Sequence, residues 1–441
     1  MNALAFLPPS SFGPRFGNDE QQKSFLGLPP SVTTGEPLLR SRAGIKRTAV
    51  RNSQCILVGM REYRTILLGG GMVAGYAAKE FVEAGLKAGE LGIVSADSAL
   101  PYERPPLSKG FLSGKENEQS VLISPDEFYR EHGIGAHLNV QIERIDIPGK
   151  RLTGGGEEFR FQNLVLATGA KPRTLDAPGA AGDRVLYLRS LMDSARLRDG
   201  LKSSKKVLVI GGGFIGMEVA SQSAQGCDTT LAFPDERVMK NLFTPEMSRS
   251  FQKYYADRGV RFEPNARVAA IRGGSVELSN GSKAQADLVV AGIGVTPVTE
   301  LAAAAGIEVQ NGIVVNEFLE TSAAGVYAAG DVANYPDALF RKRRRVEHWD
   351  NAVKQGQYVA RHLSGHAERF ENIPYFFSDV FDLSYEFWGD TSEAERIEYR
   401  GDVNSTSFSA WWLKGDRAVA AFAMNRPDAE REAASRLEWF A

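Results

Sequence analysis

Cysteine is scarce in this chain of 441 residues. Cys55 and Cys227 are the only two, and neither has a second cysteine at a CxxC-like spacing. The sequence therefore does not encode a thiol metal site or a local redox dithiol. The five histidines form no HxH pair, and we expect no metal centre.

Long apolar runs and a charge of one sign are also missing. The longest apolar stretch, at 66–78, is glycine-rich and shorter than the roughly 20 residues that span a bilayer, so we expect no membrane span. The chain has 52 basic and 54 acidic residues, so we expect no nucleic-acid partner. Its length leaves room for two or three domains.

The amino-terminal 62 residues are rich in proline, serine and threonine and show no apolar periodicity. Such a segment buries too little apolar surface to offset the entropy of ordering it, so we expect disorder. Six basic residues and no acidic residue lie at 37–61, which is typical of an organelle transit peptide. We expect a chloroplast address, with a mitochondrial one as the alternative, or a cytoplasmic protein if Met60 is the true start.

Two glycine-rich turns give the chain its clearest local pattern. Gly69, Gly71 and Ala74 fill the three positions of G-x-G-x-x-G/A directly after an apolar strand predicted at 66–68. The first position permits the turn, the second lets a pyrophosphate approach the backbone, and the third lets helix and strand pack closely. Asp97 follows the next predicted strand, where it can accept hydrogen bonds from a ribose hydroxyl.

A second copy of this pattern begins 142 positions later (211 minus 69). Gly211, Gly213 and Gly216 follow another apolar strand, and Asp235 and Glu236 end the strand after it. One such triplet arises by chance, whereas two copies with downstream acids indicate two nucleotide sites. The alternative for the second copy is a structural turn without a ligand.

Two further apolar strands end in Thr168-Gly169 and in Gly330-Asp331. With the two glycine turns, these motifs make the chain from about residue 63 resemble the flavoproteins that contain two dinucleotide-binding domains. In that family the first turn holds the ADP half of FAD and the second holds NADH or NADPH. The Gly-Asp motif binds the ribityl chain and phosphate of the flavin, a role that the resemblance assigns to Asp331.

The resemblance implies an α/β fold with two Rossmann-like, three-layer dinucleotide-binding domains, for FAD and NAD, and a small α+β C-terminal domain. The implied division is a targeting extension at 1–62, an FAD-binding domain at 63–175 and 298–365, an NAD(P)-binding domain at 176–297 and a C-terminal cap at 366–441. Further cofactor-binding residues that it implies are Met72, Val73, Phe214, Ile215, Gly292 and Gly294.

The helix after the first turn lacks the CxxxxC dithiol of glutathione-reductase-like members, so electrons cannot leave through a disulfide there. LPYERPPLSKGFL at 100–112 instead resembles a segment of monodehydroascorbate reductases, ferredoxin reductases and apoptosis-inducing-factor-like proteins. In that group an arginine and a lysine lie along the flavin, and the lysine pairs with a glutamate. These residues correspond to Arg104, Lys109 and Glu218, and we predict that Lys109 and Glu218 are catalytic. The alternative is an exposed lysine on a turn and a glutamate facing solvent.

VEHWDNAV at 346–353 resembles the segment with which the same group begins a helix at the flavin ring. Glu347 and His348 are therefore expected near the nicotinamide, and Trp349 as a flat wall or as a buried structural residue. The preceding RKRRR at 341–345 is predicted to be a solvated strand-edge or loop cluster.

The carboxyl-terminal part alternates as strands and ends in a predicted helix at 427–440, as in the cap of that group. Phe376 and Phe377 are candidates for the wall of the acceptor pocket or for its core.

The implied reaction passes hydride from NADH or NADPH to FAD and then electrons to a small molecule or a small redox protein. The segment at 233–260 resembles monodehydroascorbate reductases, but Val353 and Asp379 stand where that family has arginine. A quinone and a ferredoxin- or rubredoxin-type protein are the alternative acceptors. An apoptosis-inducing-factor-like scaffold that binds nucleic acid or protein is an alternative of another class.

The acidic side chains of Asp235 and Glu236 favour NADH over NADPH, although Arg237 is adjacent to them. We expect the protein to be a monomer or a homodimer.

Overall fold

The computed structural model describes residues 60–366 and 368–426. Its first part contains β1 (Arg61–Leu68), α1 (Met72–Glu83), β2 (Leu91–Val94), α2 (Gly110–Ser113), α3 (Asp126–Glu131), β3 (Gly135–His137), β4 (Arg144–Asp146), β5 (Arg151–Gly154), β6 (Glu157–Leu166) and β7 (Ala170–Pro172). The sheet order is β3-β2-β1-β6-β5-β4, and β3, β2, β1 and β6 are parallel. Because β1 begins at Arg61, it includes two residues of the predicted extension. The rest of the predicted targeting segment lies outside the described residues.

The second part contains β8 (Val185–Leu186), α4 (Leu191–Ser203), β9 (Lys206–Ile210), α5 (Phe214–Ser223), β10 (Asp228–Ala232), α6 (Pro245–Ala256), β11 (Arg261–Glu263), β12 (Val268–Arg272), β13 (Ser275–Leu278), β14 (Lys283–Gln285), β15 (Leu288–Ala291) and β16 (Val295–Pro297). A parallel sheet has the order β11-β10-β9-β15-β8, and β12, β13 and β14 form a small antiparallel sheet. The chain leaves the first part through β7 and returns to it through β16, and these two strands pair with each other.

The chain then returns to the first sheet through α7 (Glu300–Ala304), β17 (Ile313–Val314), β18 (Val326–Ala328), β19 (Ala333–Asp337), β20 (Lys342–Arg344) and α8 (Trp349–Leu363). Strand β18 lies parallel to β6, so the carboxyl ends of β1, β6 and β18 meet at one edge. Helix α8 packs on α1 at Gly356, where a Cβ atom would lie 2.7 Å from the carbonyl oxygen of Val73. The glycine therefore lets the two helices approach closely.

The last part is an antiparallel sheet of β21 (Tyr375–Val380), β22 (Leu383–Gly389), β23 (Arg396–Arg400), β24 (Phe408–Lys414) and β25 (Arg417–Met424), in the order β21-β22-β25-β24-β23. Its aromatic face shares one buried cluster with the second part, where Phe251 of α6 contacts Tyr385 and Phe422. The predicted α/β fold with a strand-rich carboxyl-terminal domain is confirmed. The predicted helix at 427–440 lies outside the described residues, and no helix within them is long and apolar enough to cross a membrane.

The five consecutive cationic residues 341–345 comprise β20 and one residue on each side of it. Most of them make hydrogen bonds or ion pairs with other residues of the chain. Arg343 donates to the carbonyl oxygens of Asn334 and Val315, at 2.6 and 2.7 Å. Arg345 donates to the carbonyl oxygen of Asp331 at 3.0 Å. The side chains of Arg344 and Arg345 are only 9% exposed, so the prediction of a solvated cluster is wrong for both.

Arg344 gives a stability prediction because it pairs with Asp337 at 2.7 Å and with Asp390 at 3.0 Å. Burial raises the pKa of Asp337, and the Arg344 charge opposes that rise. Replacing Arg344 by Met leaves Asp337 buried without its cation, so we expect a loss of about 3 kcal/mol in the free energy of unfolding. Lys342→Met breaks a more exposed pair with Asp390 and should cost less than about 1 kcal/mol. Urea unfolding measures both; equal losses would contradict a structural role for Arg344.

Candidate functional site

A cavity of about 690 Å³ opens at the carboxyl ends of the strands of both parallel sheets. It is lined by the predicted residues Gly69, Gly71, Met72, Val73, Asp97, Arg104, Lys109, Thr168, Gly169, Gly213, Phe214, Ile215, Glu218, Gly292, Gly294, Gly330, Asp331, Glu347, His348, Trp349 and Phe377. Five predicted residues do not line it: Ala74, Gly211, Gly216, Asp235 and Glu236. The motifs that are far apart in sequence are thus brought to one site.

The first glycine turn connects β1 to α1. Gly69 has a φ of +123°, and a Cβ atom there would lie 2.2 Å from the carbonyl oxygen of Ala167. At Gly71 the nearest atom to such a Cβ is a guanidinium nitrogen of Arg104, 3.8 Å away. Ala74 is fully buried in the packing of α1. Gly69 therefore permits the turn and a close approach of the chain after β6, whereas Gly71 leaves open space for a ligand.

The second glycine turn repeats this division of roles between β9 and α5. Gly211 has a φ of +117°, and its Cβ would lie 2.2 Å from the carbonyl oxygen of Gly292. A Cβ at Gly216 would lie 1.8 Å from the carbonyl oxygen of Gly211, whereas one at Gly213 would meet no atom within 4 Å. Gly211 and Gly216 thus shape the turn from behind the cavity, and Gly213 faces it.

The turns after β6 and β18 are held from across the site. The Thr168 hydroxyl donates to the carbonyl oxygen of Val298 at 2.7 Å, and the Gly330 N–H donates to the Gln355 side chain of α8 at 2.7 Å. The two hydrogen bonds fix the backbone that forms the floor of the cavity. Gly294, after β15, also lines the cavity and has a φ of +95°.

Asp331 forms an ion pair that the sequence did not reveal. Its carboxylate lies 2.9 Å from Arg189, whose carbonyl oxygen accepts a hydrogen bond from Arg104. Arg189 also lines the cavity, between β8 and α4. Two arginines and one carboxylate therefore face the region between the first glycine turn and α8, where a pyrophosphate has cationic partners.

Asp97 lies past the end of β2 and accepts a hydrogen bond from Tyr102 at 2.9 Å. Burial raises the pKa of Tyr102 to about 12, so the phenol remains a donor at neutral pH. This bond holds the carboxylate at the cavity wall, where Asp97 was predicted to meet a ribose hydroxyl.

Asp235 and Glu236 follow β10 in a turn and are largely exposed. Lys240 lies 3.5 Å from Asp235 and 3.0 Å from Glu236. Arg237 donates to the carbonyl oxygen of Phe243 at 2.6 Å and to the Ser248 hydroxyl at 3.1 Å. The acids are thus partly neutralised, and the arginine adjacent to them is engaged by the protein.

Lys109 and Glu218 form the ion pair that the resemblance implied. Lys109 Nζ donates to Glu218 Oε1 at 2.7 Å, and the residue Glu218 is only 4% exposed. The ammonium also lies 5.7 Å from the ring centre of Phe377. The alternative of two unrelated solvent-facing residues is therefore wrong. Ser108 and Ser378 also donate to this carboxylate, and sequence reasoning missed both contacts.

The segment from Glu347 to Trp349 leads into α8, whose first turn lies at the cavity. Glu347 is exposed and pairs with Arg345. His348 stacks on Phe376 with ring centres 4.8 Å apart, and burial lowers its pKa to about 4. His348 is therefore neutral at physiological pH. Phe376 was expected either in a pocket wall or in the core, and it takes part in both. It lines the cavity and also stacks on the buried Phe387.

Trp349 is held by a residue that sequence reasoning missed. Its indole N–H donates to Glu103 at 2.6 Å, and the Tyr76 hydroxyl donates to the other oxygen of Glu103 at 2.6 Å. Phe377 lies edge-on to Trp349, with ring centres 6.0 Å apart. Trp349 and Phe377 thus form a fixed aromatic wall.

The two positions where monodehydroascorbate reductases have arginine differ in their surroundings. Val353 is only 8% exposed and packs in the core beneath α8, outside the cavity lining. Asp379 is exposed and lies two residues past Phe377 on β21. Of these two positions, an arginine would reach solvent without entering the core only at 379.

The residues present fit FAD and a nicotinamide nucleotide. Gly71 and Gly213 leave open space at two helix amino termini, which are favourable places for phosphate groups. Arg104 and Arg189 supply cations near the first turn, and Asp97 supplies an acceptor for a ribose. The cavity volume lies in the range of cofactor sites.

Comparison with known proteins gives matches over most of the chain. The family described as pyridine nucleotide-disulphide oxidoreductase matches residues 63–356, and the family described as reductase C-terminal matches residues 375–437. Together the two matched segments cover the described residues almost completely.

Individual relatives are of two kinds. A monodehydroascorbate reductase from Cucumis sativus, the seedling isozyme, is 33% identical and covers 85% of this chain and 93% of its own. The peroxisomal monodehydroascorbate reductase 4 of Arabidopsis thaliana is 35% identical and covers 85% of this chain and 82% of its own. A ferredoxin reductase structure from Rhodopseudomonas palustris is 34% identical, with a TM-score of 0.80, and covers 84% and 93% of the two chains.

The imidazole of His348, which is half-buried at the cavity wall, predicts a pH dependence of stability. Its pKa of about 4 lies below the unfolded value of 6.5, so the unfolded chain binds more protons between these pH values. Stability should therefore fall on acidification from pH 6.5 to 4. His348→Phe keeps a ring on Phe376 and should reduce this fall by up to about 3 kcal/mol. Denaturant unfolding at several pH values measures it, with the exposed His366→Phe as control. An unchanged fall in the His348 variant would contradict the buried neutral state.

Proposed function

Because the chain belongs to the pyridine nucleotide-disulphide oxidoreductase family and is an NAD(P)H-dependent FAD oxidoreductase, we propose that its electrons pass from FAD directly to an external acceptor. The leading candidate for that acceptor is the monodehydroascorbate radical. The proposal concerns only the exit of electrons and the roles of the individual residues.

One observation carries the proposal: the cavity lining holds the Lys109–Glu218 pair and no cysteine. Residues 60–366 and 368–426 contain one cysteine, Cys227. Its thiol donates to the carbonyl oxygens of Leu201 and Ser204 and does not line the cavity. A disulfide relay requires a thiol pair next to the flavin. The described site offers no such pair, which supports direct transfer.

Bound FAD supplies the chemistry that accepts hydride from NAD(P)H and releases electrons to the acceptor. Lys109 places a positive charge on the cavity wall, and Glu218 holds that ammonium in position. The amino terminus of α8 presents backbone N–H groups and a positive partial charge to the same region. Trp349, Phe376 and Phe377 exclude water from the wall where the acceptor approaches.

The relatives and one exposed residue give opposite indications about the acceptor. Two monodehydroascorbate reductases match over more than four fifths of the chain, which favours the ascorbate radical. Asp379 opposes it, because a carboxylate near Phe377 repels an anionic substrate. The similarity to a ferredoxin reductase favours a small redox protein as the second candidate.

NADH stays the preferred nucleotide in this proposal, with less support than the sequence suggested. Lys240 screens Asp235 and Glu236, which weakens their repulsion of a 2′-phosphate. Arg237 makes three hydrogen bonds to its own turn and to α6, so it is not free to bind that phosphate.

A chloroplast location and a monomeric or dimeric state are also proposals. The first rests on the composition of residues 1–62, most of which lie outside the described residues. The Arabidopsis relative is named as peroxisomal, which does not support a chloroplast address.

Anaerobic stopped-flow spectroscopy of the FAD-loaded full chain tests the exit of electrons. NADH should bleach the flavin, and addition of monodehydroascorbate radical, a quinone or a reducible ferredoxin should restore its colour. We expect the ascorbate radical to reoxidise the flavin fastest. Faster reoxidation by ferredoxin would move the second candidate to first place, and no reoxidation by any of them would contradict direct transfer.

Asp379→Arg tests the electrostatic obstacle to an anionic acceptor. The variant should lower KM for monodehydroascorbate by about fivefold, since one exposed charge contact is worth up to about 1 kcal/mol. KM for a neutral quinone should not change. Asp416→Arg, in the exposed turn between β24 and β25 at the other end of the same sheet, is the charge-matched control. If both variants lower KM equally, the acceptor does not approach beside Asp379.

A further inference from the structure

The Glu218 carboxylate lies where three parts of the chain meet. Glu218 belongs to α5 of the second part, Lys109 precedes α2 in the connection between β2 and β3 of the first sheet, and Ser378 belongs to β21 of the carboxyl-terminal sheet. Lys109 and Ser378 both donate to Oε1, at 2.7 and 2.5 Å, and Ser108 donates to Oε2. Three donors from outside its own helix thus fix both oxygens of one buried carboxylate.

Ser378 makes its contact from behind the cavity. The residue is 0% exposed and is not part of the cavity lining, whereas its neighbour Phe377 is part of it. Alternation along β21 puts Ser378 on the face opposite Phe377, because successive side chains of a strand point to opposite faces. Phe376 shares the face of Ser378 and reaches the cavity, whereas the short serine side chain ends at Glu218 outside the cavity lining.

A buried phenol lies beside Ser378. Tyr385 of β22 is directly opposite Ser378 in the strand register, so the two side chains are neighbours on one face of the sheet. Burial raises the pKa of Tyr385, so the phenol keeps its proton and adds no charge next to Glu218.

From this geometry we propose that Ser378 is a positioning residue, which keeps the Glu218 carboxylate directed at Lys109 during reduction of the flavin by NADH. The inference rests on the role proposed above for the Lys109–Glu218 pair. A functional side chain is held in its productive geometry by the hydrogen bonds that it makes with supporting residues. The carboxyl-terminal domain thus contributes to the nucleotide half of the reaction as well as to the acceptor wall.

Ser378→Ala tests the inference on the FAD-loaded full chain. Stopped flow measures the limiting rate constant of anaerobic flavin reduction and the Kd of NADH. Loss of one hydrogen bond to a charged group should lower the rate constant by about tenfold. The Kd of NADH should change less than about twofold, because Ser378 lies outside the cavity lining. Ser378→Cys retains a weak donor and should give a smaller loss.

Ser409→Ala is the matched control, because Ser409 is a buried serine of the same sheet whose hydroxyl binds Trp411. It should leave the rate constant of flavin reduction unchanged. A general loosening of the sheet would instead alter both serine variants alike, which would overturn the specific role of Ser378.

Glu218→Gln separates this inference from the proposed function. In that background reduction should be slow, and adding Ser378→Ala should have no further effect on the rate constant. If Glu218→Gln slows reduction but Ser378→Ala and Ser378→Cys both reduce at the parent rate, the role of Ser378 is refuted while the ion pair stands. If Glu218→Gln reduces at the parent rate, the proposed role of the pair fails, and the inference fails with it.

Discussion

The ion pair between Lys109 and Glu218 is the interaction on which the arrangement of the site depends. A carboxylate that is almost fully buried is costly unless cations and donors surround it, and here the carboxylate and its donors come from three parts of the chain. Correct docking of the first parallel sheet, the second parallel sheet and the carboxyl-terminal sheet is therefore a condition for satisfying one side chain. The same docking closes the aromatic wall at Trp349 and Phe377.

The glycine turns define the other half of the site by a different physical constraint. Gly69 and Gly211 adopt backbone conformations that other residues rarely reach, and each lies against a carbonyl oxygen of a neighbouring strand end. Gly71 and Gly213 leave space instead. Close packing behind the turn and open space in front of it give each helix amino terminus room for a phosphate group.

Sequence patterns predicted those parts of the site that are local. A glycine turn lies within one strand–turn–helix unit, so its spacing reveals its geometry. The Ser378 contact with Glu218 spans 160 positions, that of Arg189 with Asp331 spans 142, and that of Trp349 with Glu103 spans 246. No periodicity encodes such distances, and side chains such as Ser378 carry no motif of their own. At Asp235 and Glu236 the sequence showed the negative charges that favour NADH. It did not show that Lys240 lies beside both carboxylates and screens them.

Direct transfer of electrons from flavin to an external acceptor is the central claim, and the electron capacity of the protein tests it most directly. Anaerobic titration of the FAD-loaded chain with NADH should reach full flavin reduction at one NADH per FAD. The Cys55→Ser, Cys227→Ser double variant should give the same end point and the same turnover. A requirement for two NADH per FAD that falls to one in the double variant would reveal a disulfide in the pathway and contradict the claim.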